Sequence, residues 1–424
     1  MKKIILILAI AALISLPLFA GGQQEGEEGA AKGEKKELTL WGWSFNRSDG
    51  ASIHPITDAY MEMNPNVEIT LLETNWNDAH DQILLMSQSN NMPDLPQVNR
   101  NWLVEFVSLD LLEDLTSRVE AVNMNEMFYE PVRGNYQGKT WIIPYMGGNS
   151  ALVINRDMFN DMGLSEPKTM DEFVQLGKKV SDPAKNFYAT QFCIAEKNVT
   201  GANVCNIGPV LTSMGGRYVE GQEAAFNNAR GVETIQWMID LEKKEKIAGP
   251  GSITVDARKM REVMAAEDAL MTFDGAWGIP FYANYPDLNI DYILMPKGRN
   301  IGTVVNIACW GIAKSSDNKD TAWDLLQYIY EDENLELLWA DGNMPYVKEY
   351  GELPEYQEKF AGFLETLAAS DNYFQTGSVP QESQMYRIIV QAYHEAFLGE
   401  KDVQTALDDA ADKYNDILDE FYGN

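Results

Sequence analysis

Apolar residues recur with two different periods along this chain, and the two periods predict different elements. The run LTLWGW at 38–43 and the alternation of Val67, Ile69 and Leu71 predict strands. Between them, apolar residues at helical spacing predict a helix that ends before Asn64-Pro65: Ile53, Ile56, Tyr60 and Met63. A further helix is predicted around 77–90. This β-α-β-α order predicts a mostly parallel sheet covered by helices, which is an α/β fold.

The rest of the chain continues this mixture of strands and helices. Around 141–155, WIIPYMGGNSALVIN, two apolar runs flank a turn rich in proline and glycine, which predicts a crossing between two lobes. Further strands are predicted to end at Phe273 and to cover 292–296 and 303–314. Helical patterns cover 170–180 and 231–246, and two later helices each have one apolar face: Trp323, Leu326, Ile329 and Tyr330, and then Val403, Leu407, Ala410, Tyr414, Ile417 and Phe421.

Size and charge narrow the class of protein. With 424 residues the chain is too long for one ordinary core, so we expect two lobes. An apolar fraction of 45% is that of a folded protein. The formal net charge of −31 argues against nucleic acid and anionic membrane surfaces as partners, because binding phosphate needs clustered Lys and Arg.

The N-terminus has the three parts of an export signal. Two lysines are followed by an apolar run over 4–16 and by the cleavage region PLFA at 17–20. The apolar run is shorter than a membrane span, which needs about 20 residues. The next residue is Gly21, where a lipid-anchored bacterial protein needs a cysteine. We therefore predict a signal peptide over 1–20, a disordered tether over 21–36, and an exported protein, periplasmic or extracytoplasmic, with no lipid anchor at an N-terminal cysteine.

No sequence motif for catalysis or metal binding is found. The three cysteines, Cys193, Cys205 and Cys309, fit no zinc spacing, and the three histidines stand apart. Export permits a disulfide between Cys193 and Cys205, and free thiols are the alternative. The segment GNYQGKT at 134–140 has three residues between its glycines, where a phosphate-binding loop has four. We expect no metal, no cofactor and no catalytic residue, although the 64 acidic residues leave hydrolysis of glycosides by paired carboxylates open.

Tryptophans stand at or near the ends of predicted strands: Trp41, Trp43, Trp76, Trp277 and Trp310. Ligands of open α/β sheets bind beyond the carboxyl ends of the strands. Sugars present C–H faces to aromatic rings and hydroxyls to carboxylates and amides, so tryptophan beside polar side chains is typical of a carbohydrate cleft. Burial in a core is the alternative for each of them. Trp277, in MTFDGAWGIP, has the barest surroundings because its neighbours are alanine and glycine.

The order and spacing of several segments resemble one family. The segments are ELTLWGW at 37–43, ITDAYMEMNPNVEITLLE at 56–73, NMPDLPQV at 91–98, YQGKTWIIPYMGGNSALVINRDMFNDMGL at 136–164, KTMDEF at 168–173, EDALMTFDGAWGIPF at 267–281 and KSSDNKDTAWDLLQYI at 314–329. Together they resemble the extracellular solute-binding proteins of family 1, the sugar-binding subunits of ABC importers related to maltose-binding protein. The resemblance covers nearly all of 37–424.

This resemblance implies a two-lobed periplasmic-binding-protein fold of type II, in which each lobe is a mostly parallel sheet flanked by helices. We predict an N-terminal lobe of 37–143 plus 298–345 and a C-terminal lobe of 144–297 plus 346–424. The resemblance also implies a carbohydrate ligand, a mono- or oligosaccharide, held between the lobes. The implied partners are the transmembrane subunits of an ABC permease. We expect a monomer without enzymatic activity.

The resemblance further implies a binding site. In this family the tryptophan of the loop after the strand that contains Phe273 often stacks on the sugar, which implies this role for Trp277. Together with the other cleft positions, the predicted ligand-binding residues are Trp43, Trp76, Asp94, Tyr145, Asp274, Trp277, Trp310 and Tyr386. Gly148 and Cys205 stand near positions where maltose-binding protein has an acid and a tyrosine, so a maltodextrin ligand is not implied.

Three other functions stay open on the sequence. An exported glycoside hydrolase needs two carboxylates in the cleft. A ligand-sensing binding protein for a membrane receptor would share the same fold. A binding protein for an amino acid or a polyamine would use charged clamps in place of aromatic rings, and the number of tryptophans argues against it.

Overall fold

The computed structural model describes residues 35–43, 45, 53–340, 344 and 347–423, so the predicted signal peptide and most of the predicted tether lie outside the described residues. The strands of the described part are β1 Lys36–Gly42, β2 Val67–Glu73, β3 Leu95–Asn99, β4 Gly134–Tyr136, β5 Lys139–Asn155, β6 Val219–Glu220, β7 Glu223–Ala224, β8 Met271–Gly275, β9 Ile290–Ile293, β10 Gly302–Gly311 and β11 Asn372–Gln375. The helices of the described part are α1 His54–Met63, α2 Ala79–Gln88, α3 Leu103–Ser108, α4 Thr116–Ala121, α5 Arg156–Asp161, α6 Met170–Val180, α7 Val199–Gly201, α8 Gly208–Ser213, α9 Ala229–Lys243, α10 Ala257–Ala265, α11 Ile279–Tyr282, α12 Lys319–Ile329, α13 Asp332–Ala340, α14 Pro354–Lys359, α15 Ala361–Ala369, α16 Glu382–Leu398 and α17 Val403–Tyr422.

Helices with strong local signals begin and end close to where the sequence predicts. The predicted helix over 170–180 is α6, whose first turn is capped because the Thr169 side chain accepts a hydrogen bond from the Glu172 backbone N–H. The C-terminal apolar stripe is the buried face of α17, which Asp402 caps at its start and Gly423 ends in the left-handed conformation. Among the described helices, none is long and apolar enough to cross a membrane.

The turn predicted within 141–155 is wrong, because this segment is part of one strand of 17 residues, β5. Its small residues serve close strand pairing instead. A Cβ on Gly147 would lie 2.4 Å from the carbonyl oxygen of Asn306 on β10, so only glycine fits there. Pro144 pairs with Cys309 at a shift in the strand register, where a missing N–H is tolerated.

The main sheet has nine strands, with the order β2-β1-β3-β10-β5-β4 and with β11 paired to β10 and both β8 and β9 paired to β5. Strand β1 pairs in parallel with β2 and β3, as the β-α-β-α order predicts. The long strands β5 and β10 are antiparallel to each other. The mixture of strands and helices is the expected α/β class.

Two buried cores lie on this framework. The first core consists mainly of apolar residues from 38–146 and 305–363, and the second core consists mainly of apolar residues from 152–295 and 379–418. Strand β5 contributes Ile143 to the first core and Leu152 to the second, and β10 likewise contributes to both. Phe360 and Phe363, which the sequence prediction assigns to the C-terminal lobe, pack in the first core. The two long strands therefore connect the cores physically.

Candidate functional site

A cavity of about 420 Å³ is lined by residues that pack on both cores, and we call it the first cavity. On the side of the first core, the ends of β1 and β3 and the loop before α2 supply Trp43, Asn75, Trp76, Asn77 and Asn99. The long strands β5 and β10 supply Met146, Gly147, Asn306 and Ala308. The chain between 198 and 277, which mainly builds the second core, supplies Asn198, Gly201, Val204, Cys205, Asp256, Ala257, Arg258, Arg261, Ala276 and Trp277.

The parallel strands explain why the first core presents its loops here. Strands β1 and β3 are neighbours, and both run toward the cavity, so their carboxyl ends place Trp43 and Asn99 on one rim. Trp43 is also held by its backbone, whose N–H donates to the Gln97 side chain at 3.1 Å. The ring of Trp43 packs edge-on against Trp76, with 5.0 Å between the ring centroids. The two half-buried indoles therefore form a single aromatic wall.

Trp277 faces this wall from the second core, on a short turn that follows β8. The turn spans Ala276–Gly278, and the indole folds back over Gly275, where a Cβ would lie 2.2 Å from the ring. The ring is half-buried and packs on the second core while lining the cavity. The small residues around it thus leave room for the indole to lie on the end of the strand.

Asp274 positions this turn from beneath and is itself completely buried. Its carboxylate accepts hydrogen bonds from Nε and Nη2 of Arg261 at 2.6 and 2.9 Å, and from the backbone N–H of Gly275 at 2.8 Å. Burial by itself lowers the pKa of Arg261, but the charge of Asp274 outweighs burial and raises that pKa above its usual range. Arg261 therefore stays protonated, and its two hydrogen bonds to Asp274 fix α10 to the end of β8.

Cys205 lies beside this ion pair, on the π-helical segment Ala202–Ile207 between α7 and α8. Its thiol donates to Oδ1 of Asp274 at 3.4 Å. The neighbouring thiol of Cys193, burial and the Asp274 charge all raise the pKa of the Cys205 thiol, which therefore stays protonated. All three cysteines are buried free thiols, so the disulfide that the sequence left open is not formed.

Five of the eight predicted binding residues are engaged in packing or hydrogen-bonding contacts within the protein. Asp274 is one. Trp310 is completely buried, with its ring centroid 6.1 Å from Phe45 and 5.2 Å from Tyr145, which is buried with it. Asp94 accepts hydrogen bonds from the Thr39 backbone N–H and the Ser316 hydroxyl. Tyr386 is completely buried and donates to Glu382 at 2.7 Å. The structure brings the other three together at the first cavity: Trp43, Trp76 and Trp277.

The polar lining is dominated by asparagines that sequence reasoning missed: Asn75, Asn77, Asn99, Asn198 and Asn306. Asn306 is 6% exposed, and its side-chain oxygen has no hydrogen-bond partner among the described residues. An amide both donates and accepts, so such a lining suits hydroxyl groups. Asparagine is common in loops of any protein, and for this reason its number alone gives no signal in the sequence.

Three charged side chains line the first cavity, Asp256, Arg258 and Arg261, and the two arginines are paired with Glu262 and Asp274. Among its lining residues, Asp256 supplies the one carboxylate, and the side chain of Lys197 binds it at 2.6 Å. Within the described part of the chain, no group of three or more His, Cys, Asp or Glu side chains could hold a metal ion. The first cavity is therefore an aromatic and amide-rich site for a polar, uncharged molecule.

Comparison with known proteins agrees with this geometry. Residues 45–336 match the family model described as bacterial extracellular solute-binding protein. The galactooligosaccharide-binding protein of Bacillus subtilis (strain 168) is 21% identical over 425 residues, which cover 97% of this chain and 96% of that protein.

Two solved structures share the fold at low sequence identity. An ABC transporter solute-binding protein from Thermotoga lettingae TMO, bound with α-D-tagatose, has a TM-score of 0.81 at 22% identity and covers 91% of this chain and 100% of its own. The maltose-bound MalE3 of T. maritima has a TM-score of 0.79 at 19% identity and covers 90% of this chain and 99% of its own. The expected two-lobed periplasmic-binding-protein fold of type II is confirmed.

Proposed function

The chain belongs to the bacterial extracellular solute-binding proteins, and we propose that it is the substrate-binding subunit of an ABC importer for a sugar. The sugar lies in the first cavity between the two lobes and is delivered from there to the permease. Trp43 and Trp76 contact it from the first core, and Trp277 contacts it from the second core.

One observation carries this proposal: indoles from both cores face a cavity whose polar groups are mainly amides. Sugar rings have apolar C–H faces that pack on indoles, while their hydroxyls both donate and accept hydrogen bonds. The free oxygen of Asn306 is a ready acceptor for one hydroxyl. An amino acid or a polyamine would need charged partners, but the Asp256 carboxylate is already paired with Lys197 and the Asp274 carboxylate with Arg261.

The remaining predicted residues have supporting roles in this proposal. Asp274, bound by Arg261, orients the turn that carries Trp277. Trp310 and Tyr145 pack beneath the rim of the first cavity, where they support β5 and β10. Asp94 accepts a hydrogen bond from the Thr39 backbone N–H and Tyr386 donates one to Glu382, so both stabilise the fold away from the sugar.

Names of relatives support a sugar as the ligand. The B. subtilis relative is named for galactooligosaccharides, and the two structures were solved with tagatose and maltose. The permease subunits as partners and export to the periplasm or cell exterior are further parts of the proposal, supported by the same family membership. We also expect a monomer.

We expect binding without catalysis. Glycoside hydrolysis by the usual mechanism needs two carboxylates on either side of the bond that is cleaved. The lining of the first cavity contains Asp256 alone, and that carboxylate is neutralised by Lys197. Release of free sugar from a bound oligosaccharide, abolished by Asp256→Asn, would replace binding with hydrolysis as the function.

The test is a panel of mono- and oligosaccharides, screened by thermal shift and followed by calorimetry. A ligand that binds only the folded state raises the melting temperature. Trp277→Ala should weaken the affinity for the best sugar about ten-fold or more, since each factor of ten is about 1.4 kcal/mol.

The matched control is Trp237→Ala on α9, a half-buried tryptophan that packs on Phe173. This control should lower stability and leave the sugar affinity unchanged. If no sugar raises the melting temperature, or if Trp277→Ala lowers stability and leaves the affinity intact, the proposed site is wrong.

A further inference from the structure

The turn Arg100–Trp102 of the first core packs directly against the start of α16 from the second core. The side-chain amide of Asn101 donates to the hydroxyl of Ser383 at 3.1 Å. The segment before α16 fits just as closely, since a Cβ on Gly377 would lie 2.3 Å from the carbonyl oxygen of Arg100. We call this contact between the two cores the junction.

The junction adjoins the cleft on the side of the first core. Asn99, directly before the turn, lines the first cavity. Trp102 at the end of the turn and Ser383 on α16 both line a neighbouring cavity of about 350 Å³. A change in the junction therefore moves the walls of the cleft relative to each other.

Glu382 is a carboxyl group buried in the junction, with 1% of its surface exposed. Its Oε2 accepts a hydrogen bond from the backbone N–H of Gly377 at 2.7 Å, and its Oε1 accepts one from the Tyr386 hydroxyl at 2.7 Å. The positive charge of Arg100, a buried residue of the first core, also acts on this carboxyl. Glu382 therefore interacts with both cores.

Burial changes the pH at which Glu382 loses its proton. Burial raises the pKa of Glu382 to about 8 from its ordinary value of 4.5, although its hydrogen bonds and the charge of Arg100 lower it. Two further groups interact with the carboxyl, Tyr218 before β6 and Tyr414 on α17, and burial raises the pKa of both hydroxyls, so they stay neutral. The charge of Glu382 therefore changes in the range of neutral to mildly alkaline pH.

We propose that Glu382 is a proton-controlled latch between the two cores, which holds the junction closed while its carboxyl is protonated and lets the cores move apart when the proton is lost. The physical reason is the cost of a buried charge, which water relieves when α16 moves away from the turn. Arg100 lowers this cost without removing it, since the pKa of Glu382 stays raised.

The latch has a consequence for binding, and this consequence alone rests on the proposed function. The closed junction binds the proton more tightly than the open one, so closure is favoured at low pH and is progressively lost as the pH rises toward 8. A sugar that contacts both walls needs them close together. Its affinity should therefore fall as the pH rises toward 8 and level off above that value.

The first measurement needs no sugar. Small-angle X-ray scattering of the ligand-free wild type should give a larger radius of gyration at about pH 8.5 than at about pH 5.5. Glu382→Gln should keep the smaller radius at both pH values, because its amide is neutral and can still bind Gly377 and Tyr386. The matched control is Glu242→Gln on α9, since Glu242 is also a buried carboxylate bonded by backbone N–H groups but lies within the second core alone. Its radius should increase with pH as in the wild type.

The second measurement is calorimetry with the best sugar of the panel at the same two pH values. The dissociation constants of the wild type and of Glu242→Gln should be at least about three-fold larger at the higher pH, and that of Glu382→Gln should change less. A further variant, Tyr386→Phe, removes a hydrogen bond that lowers the pKa of Glu382. Its affinity should continue to fall above about pH 8.5, where the wild type has levelled off. The melting temperature of each variant checks that it is folded.

The outcomes separate this inference from the proposed function. A radius that increases with pH in the wild type and in Glu242→Gln, but not in Glu382→Gln, supports the latch. If the wild type and Glu382→Gln have the same pH profiles, the latch is overturned while sugar binding stands. If Glu382→Gln does not fold, an unchanged profile in Tyr386→Phe overturns the latch instead. If no sugar binds but the radius depends on pH through Glu382, the latch stands and the proposed function is overturned.

Discussion

The indole of Trp277 lies so close to Gly275 that no larger side chain fits at residue 275 while the ring keeps its place. A Cβ there would be 2.2 Å from Cζ2 of the ring and 2.3 Å from Cε2 and Cη2, far inside any normal contact. The requirement for glycine is therefore steric and arises from the ring, since the backbone of Gly275 has an ordinary extended conformation.

Gly275→Ala should move the indole away from the first cavity and weaken sugar binding about ten-fold, as the loss of one aromatic contact with its buried area implies. If the substitution acts only through the ring, it should have no further effect in a Trp277→Ala background. Calorimetry on the wild type, the two single variants and the double variant measures this. Losses of affinity that simply add would mean that Gly275 acts in some other way.

The ion pair between Arg261 and Asp274 should matter for stability. Asp274 is completely buried and the Arg261 side chain is only 13% exposed, so Arg261→Met leaves a buried carboxylate without its charged partner. We therefore expect the free energy of unfolding to fall by about 3–5 kcal/mol. Urea unfolding monitored by tryptophan fluorescence measures the change. The matched control is Arg118→Met, because its partner Asp320 is exposed. It should change stability little. Equal effects of the two substitutions would contradict the role of the buried pair.

The side-chain oxygen of Asn306 should contribute to sugar affinity but not to stability, because it has no hydrogen-bond partner among the described residues. Asn306→Leu should weaken sugar binding about three- to ten-fold, the value of one ordinary hydrogen bond. The matched control on β5 is Asn149→Leu, whose amide donates to the Phe363 carbonyl oxygen at 3.0 Å. The control should lower the melting temperature more than it lowers the affinity. If Asn306→Leu leaves the affinity unchanged, the free oxygen of Asn306 does not face the sugar.

Much of the fold could be predicted from the sequence, because local signals decide it. Helix α6 has its cap, its acidic first turn and its basic last turn within a dozen residues. The turn predicted within β5 is wrong because Pro144 and Gly147 favour a turn locally, and only pairing with β10 keeps them in a strand. That pairing joins residues more than 150 positions apart, which no local pattern contains.

The site could be predicted only in part, for a related reason. Trp277 and Trp310 both follow apolar runs in loops or strands of small residues, and the sequence treats them alike. In the folded chain Trp310 is covered by Phe45 and Tyr145, while Trp277 stays half-buried beside the first cavity. Whether an indole is covered depends on side chains that are distant in the sequence. The meeting of five asparagines at the first cavity also depends on how distant segments pack.

The protonation of His80 should make stability depend on pH. Its Nε2 lies 2.7 Å from Oε2 of Glu105, its Nδ1 lies 3.3 Å from Oδ1 of Asp81, and its ring packs on Trp102. Burial lowers the pKa of His80, but the two carboxylates outweigh burial and raise that pKa above its ordinary value of 6.5. The folded state therefore binds this proton more tightly than the unfolded state does.

The sign follows from that difference. The stabilisation from His80 is complete below the unfolded value near 6.5 and is lost as pH rises through the higher folded value. We expect the free energy of unfolding, measured in urea, to fall over this range in the wild type and to fall less in His80→Gln. The charged groups in contact with the ring are Glu105 from α3 and Asp81 from its own helix. The cavity beside His80 is also lined by Asp78, Glu196, Lys197 and Arg387. An identical pH profile for the wild type and the variant would contradict this coupling.

A bound sugar should draw the two lobes together. Both cores contribute residues to the lining of the first cavity. At the cavity the two cores are connected by the paired strands β5 and β10. A ligand that contacts both walls binds the closed form better than the open form, and therefore shifts the population toward closure. The radius of gyration from small-angle X-ray scattering should decrease when the best sugar of the panel is added at saturation. The control is Trp277→Ala at the same sugar concentration, chosen so that it saturates the wild type but lies below the dissociation constant of the variant. The radius of gyration of the variant should decrease less, because fewer of its molecules have bound the sugar and closed. An unchanged radius for the saturated wild type would mean that the sugar enters a cleft already fixed in its final width.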